Sequence, residues 1–151
     1  MSRVVLKNDI VYSCSLDSMV KVWSITNKKL KYELKNSSWV NDIVIGQEGT
    51  PLENRLVSLG GYCGYRLSNL ETGTVMKTIK LESNCHSIAV DKTGTIIAVG
   101  NGENVTFIET TNFTMVKTVS LNHWVNSLAF NIRNDCMLAV TEGGTVHSFK
   151  F

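Results

Sequence analysis

The chain has a single proline, Pro51, in 151 residues, and it lacks the 3.6-residue apolar period of an amphipathic helix. No helix is therefore expected. No apolar run approaches the ~18 residues of a membrane-spanning helix. Charge of one sign is not in excess: 15 Lys and Arg face 13 Asp and Glu, for a net charge of +2. Nucleic acid is not expected as a partner, and membrane binding is not the leading expectation. The four cysteines, at 14, 63, 85 and 136, form no CxxC pair and no Cys/His cluster of zinc spacing. No metal and no cofactor are expected. No signal peptide precedes the first strand, so the thiols are expected to be reduced in a cytoplasmic or nuclear protein that is not secreted.

Catalytic constellations are also missing. Cys85 and His86 are adjacent, but neighbours on a strand point to opposite faces, so they form no nucleophilic dyad. Asp9, Asp17, Asp42, Asp91 and Asp135 fall mostly in turns of different units, where carboxylates accept from local N–H groups. Gly60-Gly61 and Gly143-Gly144 precede no helix and read as hairpin glycines rather than a phosphate cradle. The chain is not expected to be an enzyme.

What is present is a repeat. Trp39-Val40-Asn41-Asp42-Ile43-Val44-Ile45 returns 85 residues later as Trp124-Val125-Asn126-Ser127-Leu128-Ala129-Phe130. Val20 falls on Val105, Thr26-Asn27 on Thr111-Asn112 and Lys7 on Lys92, without a gap. A shorter cousin, Cys85-His86-Ser87-Ile88-Ala89-Val90, lies between. The unit is thus about forty residues, a period typical of repetitive β architectures. Within each unit short apolar stretches alternate with Gly, Asn and Asp turns at a spacing of about 8–12 residues. Four units follow, at 2–38, 39–84, 85–123 and 124–151. A β-propeller of four-stranded antiparallel blades accounts for the pattern; a two-sheet sandwich does not explain its period.

Ser13-Cys14-Ser15-Leu16-Asp17-Ser18-Met19-Val20-Lys21-Val22-Trp23 resembles the second strand, Asp turn and third strand of the WD40 repeat family. Val125–Phe130 resembles that family's innermost strand, and Thr72-Gly73 its turn into the fourth strand. The resemblance spans the whole chain and implies an all-β, WD40-like propeller in which Asp17 and Trp23 are structural. The third-strand Trp position holds Trp23, Ser68, Ile108 and Phe149. The last unit stops after its third strand, and no spare strand is available to close a ring. The chain is therefore expected to be the C-terminal part of a larger propeller, needing a partner chain or self-association for closure.

The resemblance also implies a function: a non-catalytic scaffold or adaptor that docks protein partners, within a multi-protein complex, on one loop face. By position that face includes Trp39, Asn41, Asn84, His86, Trp124 and Asn126. Exposed Trp beside Asn suits a binding surface, since Trp is enriched at interface hot spots. Packing of Trp39 and Trp124 between blades is the competing expectation. The basic stretch 28–35 alternates lysines with Leu30, Tyr32 and Leu34. It reads as an outer strand guarded by charge. An anionic-lipid patch, making the chain a phosphoinositide-binding propeller, is the alternative function. An enzyme of propeller fold, with carboxylates or a metal in its centre, is a second alternative.

Overall fold

The computed structural model describes residues 2–61, 64–131 and 133–150; Cys63 and Phe151, considered above, lie outside them. The described residues form fifteen β-strands and no helix. The first sheet contains β1 (Arg3–Lys7), β2 (Ile10–Cys14), β3 (Met19–Ser24) and β4 (Lys29–Lys35). The second contains β5 (Val40–Ile45), β6 (Arg55–Gly60), β7 (Gly64–Asn69) and β8 (Val75–Ile79). The third contains β9 (Cys85–Val90), β10 (Ile96–Asn101), β11 (Asn104–Glu109) and β12 (Thr114–Ser120). The fourth has only β13 (Val125–Phe130), β14 (Cys136–Thr141) and β15 (Val146–Lys150). In every sheet the strands are antiparallel and lie in chain order.

Local chemistry sets the turns. Asp17 accepts from Met19 N at 2.9 Å and tightens the turn between β2 and β3. Asp9 accepts from Thr26 N at 2.8 Å and from Ser24 Oγ at 2.9 Å, and so ties the first turn of its sheet to the end of β3. Asp91 receives Ile96 N at 2.7 Å and the Thr93 hydroxyl. Burial works against its charge, but these donors and Asn134 hold its carboxyl below the ordinary value of 3.8. Asn101 and Asn104 are paired across a two-residue turn in which Gly102 takes φ +59°, a conformation glycine adopts at little cost.

Packing explains which strands lack alternation. β6, β10 and β11 are buried on both faces, so apolar side chains occur on both: Leu56, Val57 and Leu59 in β6, Ile97, Ala98 and Val99 in β10, Val105, Phe107 and Ile108 in β11. β4, β8 and β12 are largely exposed and carry Lys29, Lys31, Lys35, Lys77 and Lys117. Contact between sheets is carried mainly by their first strands, β1 on β5, β5 on β9 and β9 on β13. The sheets therefore fan out from those strands. Three apolar clusters fill the gaps. Tyr12, Val20 and Val22 meet Ile43, Ile45 and Leu56. Val57, Leu59 and Leu67 meet Ile88, Ile97 and Ile108. Ala98, Val105 and Phe107 meet Leu128, Met137 and Ala139. Among the described residues no comparable packing joins β13 back to β1.

Four expectations need correction. The repeat is not ungapped: Cys14 pairs with Arg3 and Val20 as Gly100 pairs with Ser87 and Val105. The offset is therefore 84, 86 and 85 in successive strands, and Arg3 occupies the place of Ser87. Trp23 is not core. It follows the inward Val22, so it points to the opposite face, and it is 39% exposed. A bulge at Lys31 in β4 pairs Leu30 with Trp23, so Leu30 does not share the buried side of Tyr32 and Leu34. Asp42 is not a turn residue. It lies buried in β5, accepts from Ile43 N at 2.9 Å and Ile88 N at 3.1 Å, and pairs with Arg3 at 3.4 Å.

Candidate protein-binding edge

One edge of the fan is formed by the entries to the first strands and by the turns joining second to third strands. Trp39, Asn84 and Trp124 hold the same place there, one residue before β5, β9 and β13. Each of their carbonyls accepts from the turn of its own sheet. Gly61 N donates to Trp39 O at 3.1 Å, Gly102 N to Asn84 O at 2.9 Å, and Glu142 N to Trp124 O at 2.8 Å. The next residue reaches back to the preceding sheet: Val40 N donates to Ser15 O at 3.0 Å, and Val125 N to Gly102 O at 2.9 Å. The backbone beneath both tryptophans is thus anchored on two sheets.

Trp39 and Trp124 are 37% and 43% exposed, so neither residue is sealed between sheets. Their surroundings differ. Trp39 lies so close over Gly61 that a Cβ there would collide with the indole Nε1; only glycine fits. Trp124 leans on His86 of the third sheet, with ring centroids 5.3 Å apart and planes tilted by 41°. It also borders a hollow lined by Glu82, Ser83, Asn84, Gly102 and Glu103. Of the other expected residues, Asn41 donates to Cys85 O at 2.7 Å and serves the join between the second and third sheets. His86 is half-buried, and its Nε2 is buried without a hydrogen-bond partner. Asn84 is half-buried and Asn126 is exposed.

Sequence reasoning missed Ser83, Gly102 and Glu103 around Trp124. The Asn101-Gly102 step was the available signal, because it marks a tight turn and so fixes which loop faces the tryptophan. It also missed a ladder of polar links between first strands. Asp42, Ser87 and Ser127 occupy one repeated position. Asp42 accepts from Ile88 N in the following sheet, and Ser87 Oγ accepts from Leu128 N at 3.0 Å. Ser127 faces no following sheet and is exposed. Burial lifts the Asp42 carboxyl above its ordinary 3.8, against the pull of Ile88 N and Arg3.

No acid–base or nucleophilic unit emerges from these residues. Burial pushes the Cys14 thiol up to about 11 and the Cys85 thiol to about 12, far from a reactive thiolate at neutral pH. Among the described residues no three His, Cys, Asp or Glu side chains converge as a metal site. A second hollow, at the opposite edge, is lined by Lys7, Tyr12, Lys31, Glu48, Glu53 and Glu71. Its Lys7 Nζ already donates to Gly46 O at 2.7 Å.

Neither a protein-family model nor a curated protein matches the sequence. Solved structures do match the fold. The crystal structure of the computationally designed Ika4 protein superposes with a TM-score of 0.85 at 18% identity, over 99% of this chain and 90% of that one. The computationally designed Ika8 protein superposes with a TM-score of 0.84, again at 18% identity, over 99% of this chain and 45% of its own. These findings overturn the WD40 resemblance. The likeness is one of fold, shared with designed proteins, and no WD40 family model matches. The missing intact Trp-Asp pair and the outward Trp23 agree with that correction.

Proposed function

We propose that the chain is a non-catalytic binding protein, an arc of a β-propeller that presents Trp39 and Trp124 to a protein partner. The observation that carries this reading is the repeated placement of the two indoles. They take the same position on the second and fourth sheets, at one edge, with a sheet between them and a third or more of each side chain exposed. A large, stiff side chain on an anchored backbone loses little entropy on contact, which is why Trp dominates many interfaces. The hollow beside Trp124 supplies Asn84 and the carboxylates Glu82 and Glu103, suited to an extended segment with amide and basic groups.

A random-sequence peptide library selected on the purified chain tests this reading. Selected peptides should lose about thirtyfold or more in affinity against Trp124→Ala or Trp39→Ala, the ~2 kcal/mol expected of a hot spot. Lys29→Glu on the exposed β4 edge should leave them unaffected. Peptides that ignore both tryptophans would refute the assignment. Binding to anionic vesicles that Lys29→Glu abolishes would favour the lipid alternative instead.

A further inference from the structure

Among the described residues no sheet lies against the outer faces of the first and fourth sheets, although each matches one half of an interface formed inside the chain. The shared register makes the comparison residue by residue. On the first sheet, Val4, Leu6, Val11 and Trp23 stand where the third sheet has Ile88, Val90, Ile97 and Ile108. Those four pack against the second sheet and are buried or half-buried, whereas Val4, Leu6 and Trp23 are exposed. On the fourth sheet, Ala129, Leu138, Val140 and Val146 stand where the third has Ala89, Ala98, Gly100 and Val105. Ala89, Ala98 and Val105 pack against the fourth sheet, whereas Leu138, Val140 and Val146 are exposed. Exposed apolar surface grouped in this way marks an interaction site.

Two polar side chains on the fourth sheet fix what kind of element should arrive. At the position of Ser127, Asp42 and Ser87 each accept the N–H of the next sheet's first strand. At the position of Asn126, Asn41 donates to the next first strand's carbonyl at Cys85. Ser127 and Asn126 are exposed. Together they present one acceptor and one donor to the first strand of a following sheet. β1 is such a strand, with Val4 at the place of Ile88 and Leu128.

We propose that two copies of this chain associate head to tail, the outer face of each fourth sheet packing on the outer face of the other's first sheet. The chain carries both halves of the interface. Two identical contacts of this kind leave no open face when each arc turns through half a ring. The same arrangement occupies 45% of the designed Ika8 chain, so a chain more than twice as long accommodates it once and continues. Ser127 Oγ then accepts from Val4 N–H of the other copy. This surface is distinct from the tryptophan edge and does not depend on the function proposed there.

Sedimentation velocity over a concentration series tests the proposal. The expected species at micromolar concentration has twice the single-chain mass of 16.7 kDa. Val140→Asp and Leu6→Lys should each give a single-chain particle, because each breaks both contacts. Both residues are exposed in the single chain, so the circular dichroism of the variants should match the parent's. An equal mixture of the two variants should recover paired chains, since one contact then joins two unaltered faces. Trp124→Ala should stay paired. A parent chain that remains single at every concentration, growth into longer open assemblies, or loss of pairing in only one of the two variants would overturn the proposal.

Discussion

Removing the hydroxyl of Ser87 isolates one link of the ladder between first strands. Ser87 is 5% exposed, and its Oγ lies 3.0 Å from Leu128 N of the next sheet. In Ser87→Ala that N–H stays in a dry interface without the acceptor, a loss of about 1–3 kcal/mol. Little cavity forms, because only one oxygen is lost. Asp42→Ala strips acceptors from two amides, Ile43 N and Ile88 N, and should cost more. Ser127→Ala at the equivalent exposed position should stay within about 0.5 kcal/mol, provided it is made in the Leu6→Lys background so that association does not contribute. Urea unfolding followed by circular dichroism gives the three values, with unchanged slope as the check on two-state comparison. The expected order of cost is Asp42, Ser87, Ser127. A Ser87→Ala melt indistinguishable from the parent's, or an equal cost at Ser127, would refute the idea that these side chains join consecutive sheets.

Further outcomes follow from individual groups. Trp23→Ala in the Val140→Asp background should cost well below the ~3–5 kcal/mol of a buried aromatic, and a loss in that range by urea melt would mean that Trp23 is enclosed. Burial raises the Asp42 carboxyl, so its favourable contribution is present below 3.8 and is lost as pH rises through the raised value. Asp42→Asn should therefore gain stability relative to the parent as pH rises above 3.8. Asp91 has the opposite sign: its carboxyl is held below 3.8, so its contribution is present above that pH and fades on acidification, and Asp91→Asn should lose stability relative to the parent above about pH 4. Toward a thiol reagent, Cys136, half-buried, should react ahead of the buried Cys14 and Cys85, and Cys136→Ser should remove its share of the fast phase.

The all-β class was legible because period and turn chemistry agree. Asn101-Gly102, Asp17-Ser18 and Thr72-Gly73 mark turns, and the strands between them are too short for helices. The existence of four units and the exposed lysine edge at Lys29, Lys31 and Lys35 were legible for the same reason. Register was not. One residue gained or lost in a turn reverses every side chain of the following strand, so the apparent ungapped match misplaced β1 and β2 by one residue; Trp23 was aligned correctly with the buried Ile108, and its exposure comes from the face it occupies, which no sheet among the described residues covers. Asp42 was misread because a buried carboxylate in a strand looks, in sequence, like a turn aspartate; only the approach of Ile88 N from another sheet distinguishes them. The tryptophan edge was legible in the Trp39 and Trp124 repeat. The hollow beside Trp124 was not, because Glu82, Ser83 and Glu103 come from loops that the repeat does not align.

The most direct test of the open fan and of its pairing is the accessibility of its two end faces as a function of concentration. Leu6→Cys and Val140→Cys, each in a Cys63→Ser, Cys136→Ser background, place one reporter thiol on each face. Pulse labelling with a maleimide should modify both rapidly in dilute solution, where single chains predominate. Protection should then rise at the two positions together, with one common midpoint, as concentration increases. Strong protection of both thiols at dilutions where sedimentation shows single chains would contradict the account, since it would mean that the first and fourth sheets already cover each other within one chain.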